Sequence, residues 1–323
     1  MKIGLVGTFV WDRIWTLADQ EAGRPFETWG GVAYSLAAGA AALPEGWEIV
    51  PLVKVGRDLE PEAHAFLDTL RGVGDRSRIL PVSEPNNRVE LRYTDTVRRG
   101  ERLTGGVPSW TWDELAPRLD GLDALYVNFL SGFEMGLDAA ERLRETFSGP
   151  VYADLHSLFL GCPGAGVRAM RRLPEWERWL ACFDAVQLNE DELSTLFPLP
   201  AHRPDGAAAL LAHGPATAVV TLGADGAAFA TRAPEAPFDR GASADEPRTG
   251  WIRPPGWAPA NGDPTGCGDV WGVAAATALF AGMPIEAAVA RANALAAVKL
   301  EHRGATGLHE HLLRRADAWR DGA

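Results

Sequence analysis

The residues that could do chemistry are concentrated in one stretch near the C-terminus, Asn261–Asp269, which reads NGDPTGCGD and precedes an Ala-rich segment that predicts a helix. A glycine-rich turn at the start of a helix presents backbone N–H groups and the positive end of the helix dipole, and both favour an anion. The carboxylate of Asp269 would repel a bound phosphate unless it faces a hydroxyl that is about to attack that phosphate. In that case Asp269 accepts the hydroxyl proton as a general base, and the amides of Gly266, Cys267 and Gly268 hold the charge on the transferred group.

The same residues also have a purely structural interpretation. Asp is a favoured N-cap residue, and glycine-rich turns precede many helices that have no catalytic role. The rest of the chain therefore has to decide between the two interpretations.

The composition excludes several classes of protein. The chain has 323 residues, of which 46% are hydrophobic and 23% charged, so it can bury a large core as about two domains or as one large α/β domain. The net charge of −12 argues against a protein that binds nucleic acid or an anionic membrane. The three cysteines, Cys162, Cys182 and Cys267, share no metal-ligand spacing and are odd in number, which favours a reducing compartment.

The N-terminal segment does not have the pattern of a targeting signal. It carries a single Lys and reaches Asp12 too early for a signal peptide, and no apolar run of the chain approaches the ~18 residues that span a bilayer. We therefore expect a soluble, cytoplasmic protein.

Apolar runs that alternate with helical patterns predict a doubly wound, mostly parallel sheet with helices on both faces. The predicted strands are Ile3–Gly7, Glu48–Val55, Leu122–Phe129, Val151–Asp154, Ala185–Leu188 and Ala218–Thr221. The first of these strands could open a dinucleotide-binding unit, but the glycines that such a unit needs after the strand are missing, which weakens a dehydrogenase interpretation.

Two segments depart from this alternation. Arg88–Arg102 alternates apolar and polar residues and predicts a hairpin in a small sheet that stands off the main body, with its arginines more consistent with a solvated face than with a binding site. Residues 232–259 are rich in Pro, Gly and Ser and predict a loop with a short strand near Trp251.

Polar residues and glycines follow several of the predicted strands or precede helices, where the ligands of parallel sheets bind. They are Asp12, Gly30, Gly31, Asp154, Asn189, Gly223 and Asp269. Structural alternatives stay open at this point. The paired glycines suit close helix–sheet packing, His156 after Asp154 suits a local backbone contact, and Asn189 with Glu192 suits a capping pair.

With these motifs in order, the chain resembles the ribokinase-like (PfkB) carbohydrate kinase family over nearly its whole length. DPTGCGD is similar to the DTxGAGD signature of that family, NEDE at residues 189–192 to its NxxE motif, and TLGADGA at 221–227 to its nucleotide-side strand and turn. GGVAYS at 30–35 is similar to its N-terminal double-glycine motif, and Asp12 stands where the family keeps a substrate-binding Asp.

The resemblance implies a single three-layer α/β domain over residues 1–323 with a small β-sheet lid drawn from about residues 10–28 and 88–104. It implies transfer of the γ-phosphoryl group of ATP, with Mg²⁺, to a hydroxyl of a sugar or sugar-like acceptor, and Asp269 as the general base. Two alternatives are a nucleoside kinase and a catalytically weak relative that binds a metabolite. The alternating lid strands would permit a homodimer.

The resemblance also implies roles for individual residues. Substrate contacts fall on Asp12, Gly30, Gly31, Ser35 and Asp154. Nucleotide contacts fall on Asn189, Thr221, Gly223, Gly226 and Asn293. Metal contacts fall on Glu192, which would reach Mg²⁺ through water, and on Asp263 and Thr265, which would hold a monovalent cation such as K⁺.

This chain departs from the family pattern near the acceptor. Ser35 stands where many sugar kinases of the family have Asn, with the bulky Tyr34 before it, and Pro264 and Cys267 replace Thr and Ala of the signature. Trp11, Trp15 and Trp29 could stack on an acceptor, but lid packing explains them better. The acceptor therefore stays unassigned.

Overall fold

The computed structural model describes residues 1–95, 99–197, 203–242, 246–259 and 262–319. Asn261 at the start of the glycine-rich stretch, residues 96–98 of the predicted hairpin and residues 243–245 of the predicted loop lie outside the described residues.

The strands of the described part belong to two sheets that share their longest member. They are β1 (Lys2–Trp15), β2 (Phe26–Gly31), β3 (Glu48–Gly56), β4 (Leu80–Val82), β5 (Asn87–Tyr93), β6 (Arg99–Thr104), β7 (Ala124–Asn128), β8 (Val151–Asp154), β9 (Leu160–Gly164), β10 (Val167–Met170), β11 (Ala185–Asn189), β12 (Thr217–Thr221), β13 (Ala227–Thr231) and β14 (Arg248–Ile252).

The helices lie between these strands and after them. They are α1 (Leu17–Glu21), α2 (Val32–Ala42), α3 (Glu60–Asp68), α4 (Trp112–Leu115), α5 (Leu137–Thr146), α6 (Trp176–Ala181), α7 (Glu190–Leu196), α8 (Arg203–Leu211), α9 (Cys267–Phe280), α10 (Ile285–Lys299) and α11 (Leu308–Arg314).

The main sheet has the order β14-β13-β12-β11-β8-β7-β1-β3-β4, parallel from β12 to β4 and antiparallel at β13 and β14. One hydrophobic cluster packs α2, α3, α9, α10 and α11 on one face of the sheet, and a second packs α4 to α8 on the other. The Ala-rich α9 is buried nearly all round, because small side chains let it sit between the sheet and α2. The three-layer, mostly parallel fold class predicted from the sequence is confirmed.

A second, smaller sheet continues from the last residues of β1, and we call it the lid. It contains Val10–Trp15 of β1, β2, β5, β6 and the short hairpin β9–β10. Val10, Ile14, Val89, Leu91 and Tyr93 give it a core of its own. The predicted strand Ile3–Gly7 was too short, because polar and aromatic residues after Gly7 hid the continuation of β1 into the lid.

None of the helices in the described ranges combines the length and the apolar character that crossing a membrane requires.

Candidate active site

The glycine-rich turn leads into α9 as the sequence predicted. Gly266 is the N-cap of α9 with a φ of 81°, and a Cβ added there would lie 2.5 Å from the ring of Tyr34. Two independent constraints therefore favour glycine at this position, namely the left-handed backbone and the Tyr34 ring packed against it. Asp269 follows in the first turn of the helix.

Cys267, between the two glycines, has a thiol of low reactivity and a backbone amide with a partner. Its backbone N–H donates to the carbonyl of Pro264 at 3.1 Å, so this amide is already engaged. Burial raises the pKa of its thiol to about 12, which keeps the sulfur protonated and a poor nucleophile.

The carboxylate of Asp269 is anchored by a side chain from the neighbouring sheet. The Nδ2 of Asn128, at the end of β7, donates to Oδ1 of Asp269 at 2.8 Å and to Oγ of Ser35 at 3.0 Å. The Oγ of Ser35 in turn donates to the backbone oxygen of Asp269 at 3.4 Å. Asn128 and Ser35 are fully buried, so they fix the orientation of the carboxylate that the sequence predicted as a base.

A second polar group follows β8 and β11. The Nε2 of Gln187 donates to Oδ2 of Asp154 at 2.9 Å and to the backbone oxygen of Gly268 at 3.4 Å, which links this group to the glycine-rich turn. Burial, and then the charges of Glu192 and Asp269, raise the pKa of Asp154 well above its usual range. The Asp154 carboxyl group is therefore easier to protonate than an exposed one, and a bound cation would favour its ionised form.

Glu192 is a capping residue with one additional partner. Its Oε2 accepts from the backbone N–H of Asn189 at 2.8 Å, and its Oε1 accepts from Nδ2 of Asn189 at 2.6 Å. The Nδ1 of His156 lies 2.6 Å from the same Oε1. The capping pair considered from the sequence is present, and His156 contacts a carboxylate rather than only local backbone.

The charge of His156 is set by these carboxylates. Burial by itself would lower the pKa of the imidazole, but the charges of Glu192 and then Asp154 outweigh burial and raise that pKa to about 9. Near neutral pH the ring is therefore an imidazolium, and its side chain is 38% exposed at the edge of the site.

We expect the His156–Glu192 pair to make stability depend on pH. Because the folded pKa is raised above the unfolded value of about 6.5, the contribution is complete below that pH and is lost as the pH rises through about 9. His156→Gln should lower the free energy of unfolding by roughly 1 kcal/mol at about pH 6, after discounting for the exposed ring, and by much less near pH 10. Urea unfolding of both proteins at several pH values measures the difference.

His64→Gln, on α3 and away from this cluster, is the matched control. It removes an imidazole outside the His156–Glu192 pair and so measures the general effect of losing a histidine. A gap between the parent and His156→Gln that stays constant from about pH 6 to 10 would contradict the assigned pKa.

The predicted nucleotide-side residues gather at the end of β12. Thr221 is paired in register with Asn189, and the turn after it contains Gly223 (φ 54°) and Gly226 (φ 90°). A Cβ on Gly223 would meet nothing within 4 Å, so the backbone of this turn faces open space, as close approach of a ligand requires. The Nε1 of the half-exposed Trp251 donates to the backbone oxygen of Asp225 at 2.7 Å beside the turn.

The side chain of Asn293 makes hydrogen bonds within the protein. Its Oδ1 accepts from Nε1 of Trp271 at 2.8 Å, and its Nδ2 donates to the backbone oxygens of Ile252 at 3.0 Å and Arg253 at 3.3 Å. These bonds tie α10 to α9 and to the end of β14.

The predicted acceptor-side residues lie where β1 and β2 enter the lid. The buried carboxylate of Asp12 rests on Gly30, where a Cβ would lie 1.8 Å from Oδ2 of Asp12. Gly31, with a φ of 58°, is the N-cap of α2, and a Cβ there would lie 2.6 Å from the backbone oxygen of Thr8. Both glycines therefore let β2 approach β1 closely.

Asp263 and Thr265 lie in the turn before α9. Oδ1 of Asp263 accepts from the backbone N–H of Thr265 at 3.0 Å. The hydroxyl of Thr265 lies 3.0 Å from that of Tyr93, so this turn contacts the lid directly.

Sequence reasoning did not single out Asn128 or Gln187. Asn128 lies at the carboxyl end of β7 and is paired in register with Asp154 at the end of β8. The position at the end of a parallel strand, which singled out Asp154, could therefore have identified Asn128 as well. Gln187 is a polar residue inside an apolar strand, which gave no comparable signal.

No group of three or more His, Cys, Asp or Glu side chains in the described ranges is arranged to hold a metal ion directly. The crowded carboxylates of Asp154 and Glu192 nevertheless fit a hydrated Mg²⁺, because that ion keeps several waters and favours oxygen ligands. The open turn at Gly223 fits a nucleotide in the same way.

One family model matches the C-terminal part of the chain. Residues 168–311 match the model of the pfkB family carbohydrate kinases. Over these residues, a little under half of the chain, the protein is similar to this family. The prediction of a phosphotransferase of the carbohydrate kinase type is thereby confirmed. No curated protein matches the chain.

Solved structures of several kinases share the fold over nearly the whole chain. A pyrophosphate-dependent kinase of the ribokinase family, in complex with a pyrophosphate analogue and myo-inositol, has a TM-score of 0.71 at 20% identity, covering 97% of this chain and 99% of its own. Ribokinase of Arabidopsis thaliana, with ribose and ATP, has a TM-score of 0.67 at 19% identity and 97% coverage of both chains. A nucleoside kinase of Burkholderia thailandensis, with inosine, has a TM-score of 0.69 at 18% identity, covering 99% and 98%.

Proposed function

We propose that this protein is an ATP-dependent kinase that transfers the γ-phosphoryl group to a hydroxyl of a sugar or sugar-like acceptor, with Asp269 as the general base. The observation that carries the proposal is the anchored carboxylate of Asp269 in the first turn of α9, directly after the glycine-rich turn. A base needs a fixed direction towards the hydroxyl, and the bond from Asn128 to Oδ1 supplies one.

The residues around Asp269 would bind the transferred group and the metal ion. The amide of Gly268 and the N-terminal end of α9 face the charge of the transferred group. Asp154 and Glu192 would hold hydrated Mg²⁺, which when bound with ATP neutralises charge on the phosphates. The imidazolium of His156 balances part of the carboxylate charge when that ion is absent.

A sugar-like acceptor is preferred over a nucleoside because the tryptophans near the acceptor side are engaged in packing. Trp29 is 4% exposed, with its ring 5.1 Å from those of Phe9 and Trp11. Trp15 lies under the guanidinium of Arg92 at 4.7 Å. Such rings offer little free face for a base, whereas the carboxylate of Asp12 suits hydroxyl groups.

Gly30→Ala tests the acceptor side. Because the new Cβ would occupy the place of the Asp12 carboxylate, we expect the KM for the acceptor to rise about tenfold or more, while the KM for ATP changes little. Steady-state kinetics with each substrate varied in turn measures both constants.

Gly100→Ala is the control in the same lid, since a Cβ at Gly100 would meet nothing within 4 Å. It should leave both KM values near those of the parent. Equal changes of the two constants in Gly30→Ala would remove Asp12 from the acceptor site.

One screen tests the proposed function. Sugars, polyols including myo-inositol, and nucleosides including inosine are offered with ATP or with pyrophosphate, and acceptor-dependent release of ADP or phosphate is recorded. We expect turnover with ATP and a sugar or polyol. Preference for nucleosides would favour the nucleoside kinase alternative, and preference for pyrophosphate would replace the phosphoryl donor. Ligand-induced thermal shifts without any turnover would favour a metabolite-binding relative.

The cytoplasmic location and a homodimer formed through the lid remain predictions. Size-exclusion chromatography with light scattering tests the second of them.

A further inference from the structure

A buried lysine lies against the glycine-rich turn. Lys299, the last residue of α10, is fully buried, and its Nζ donates to the backbone oxygen of Asp263 at 2.8 Å. The same ammonium lies 3.3 Å from Oδ2 of Asp263 and 5.4 Å from the centre of the Tyr34 ring, which packs on Gly266. A lysine is rarely buried unless its charge is paired, and here Asp263 pairs it.

The two residues expected to hold a monovalent cation are therefore already engaged. Besides Lys299, the carboxylate of Asp263 accepts from the backbone N–H of Thr265 at 3.0 Å and of Gly304 at 3.4 Å. The hydroxyl of Thr265 contacts that of Tyr93. A K⁺ ion would have to share the carboxylate and carbonyl oxygens of Asp263 with an ammonium of like charge, so these residues do not fit the ion.

We propose that the ammonium of Lys299 permanently takes the place of a monovalent cation beside the anion-binding turn, so that this kinase works without K⁺ or Na⁺. Lys299 is a positioning residue: it neutralises Asp263 and holds the turn between Asp263 and Gly266, behind the amides that face the phosphoryl group. The inference rests on the proposed function for its catalytic consequence, but the occupancy of the position can be tested without turnover.

The first experiment compares the unmodified protein in KCl, NaCl and choline chloride at equal ionic strength. We expect the same Tm in all three salts, because a position filled by Lys299 gains nothing by mass action from a free cation. We expect kcat with the acceptor found by the screen to vary by less than about twofold. A higher Tm in KCl than in choline chloride, or strong activation by K⁺, would overturn the inference.

The second experiment removes the ammonium. Lys299→Ala leaves the carboxylate of Asp263 with space in front of it, so K⁺ should now raise the Tm relative to choline, and should restore part of a kcat that has fallen about tenfold or more. If this variant folds and shows no preference for K⁺ over choline, the position is not a cation site and the inference fails.

Lys54→Ala is the matched control. Lys54 is also buried, with Nζ at 2.8 Å from the backbone oxygen of Ser109, 2.7 Å from Oε2 of Glu114 and 4.9 Å from the ring of Trp110. Its loss should lower the Tm equally in every salt. A K⁺-specific response in this control as well would show a general ionic effect and overturn the assignment to Lys299.

The outcomes separate the two proposals. Absence of turnover with every acceptor removes the proposed function, while the Tm values in the three salts still decide the place of the cation. If Lys299→Ala does not fold, the comparison of salts on the unmodified protein decides alone.

Discussion

Asp269→Asn should lower kcat by about 10²- to 10⁴-fold, the usual contribution of a general base, while the fold and the affinity for ATP stay close to those of the parent. The amide oxygen of the new Asn can still accept the bond from Nδ2 of Asn128, so the side chain keeps its place and loses only its ability to take a proton. Single-turnover kinetics with the acceptor identified by the screen measures the loss, and calorimetry measures the binding of ATP.

Asp138→Asn, on the exposed first turn of α5, makes the same chemical change far from the site and should leave kcat unchanged. Turnover near the parent level in Asp269→Asn would remove Asp269 as the base. A large loss of thermal stability in that variant would instead assign Asp269 to the fold.

Gly266→Ala is expected to cause a large loss of stability. A Cβ there combines a left-handed backbone, which costs about 1–2 kcal/mol for a residue other than Gly, with a separation of 2.5 Å from the buried ring of Tyr34. Together we expect about 3 kcal/mol of destabilisation and a fall in Tm of roughly 5–10 °C, read by calorimetry. Turnover should fall as well, because the turn that we propose to face the phosphoryl group has to move.

Gly268→Ala, two residues further on, gives the opposite expectation. Gly268 lies in the first turn of α9 with no atom within 4 Å of an added Cβ, and Ala is preferred over Gly in a helix by roughly 0.5–1 kcal/mol. Its Tm should equal or exceed that of the parent. Equal Tm losses in both variants would mean that Gly266 is not constrained by Tyr34.

The sequence contained enough information for the layers of the fold and for the position of Asp269, the residue that we propose as the base. The apolar runs that became β3, β7, β8, β11 and β12 are parallel strands buried on both faces, the class that periodicity identifies well. Asp269 could be placed because its spacing from Gly266 and Gly268 is local and the turn and helix follow from the chain itself.

Contacts between distant segments could not be predicted in this way. Asn128 is 141 residues from Asp269, and Lys299 is 36 residues from Asp263, and only the packing of the sheet and of α10 brings each pair together. The contact of Lys299 with Asp263 could not be predicted from the sequence, because a Lys in the last turn of a helix is commonly explained by its interaction with the helix dipole. The hairpin β9–β10 was also not predicted, since its strands are short and rich in Gly.

The shared strand β1 has a mechanical consequence for the lid. Each residue from Lys2 to Trp15 has a partner in β3, β2 or β5, so the ladder of hydrogen bonds passes from the main sheet to the lid sheet without a break. The lid is therefore joined to the main sheet by a continuous, hydrogen-bonded strand. A movement of the lid relative to the main sheet would have to twist β1, and both sheets should melt in a single cooperative transition.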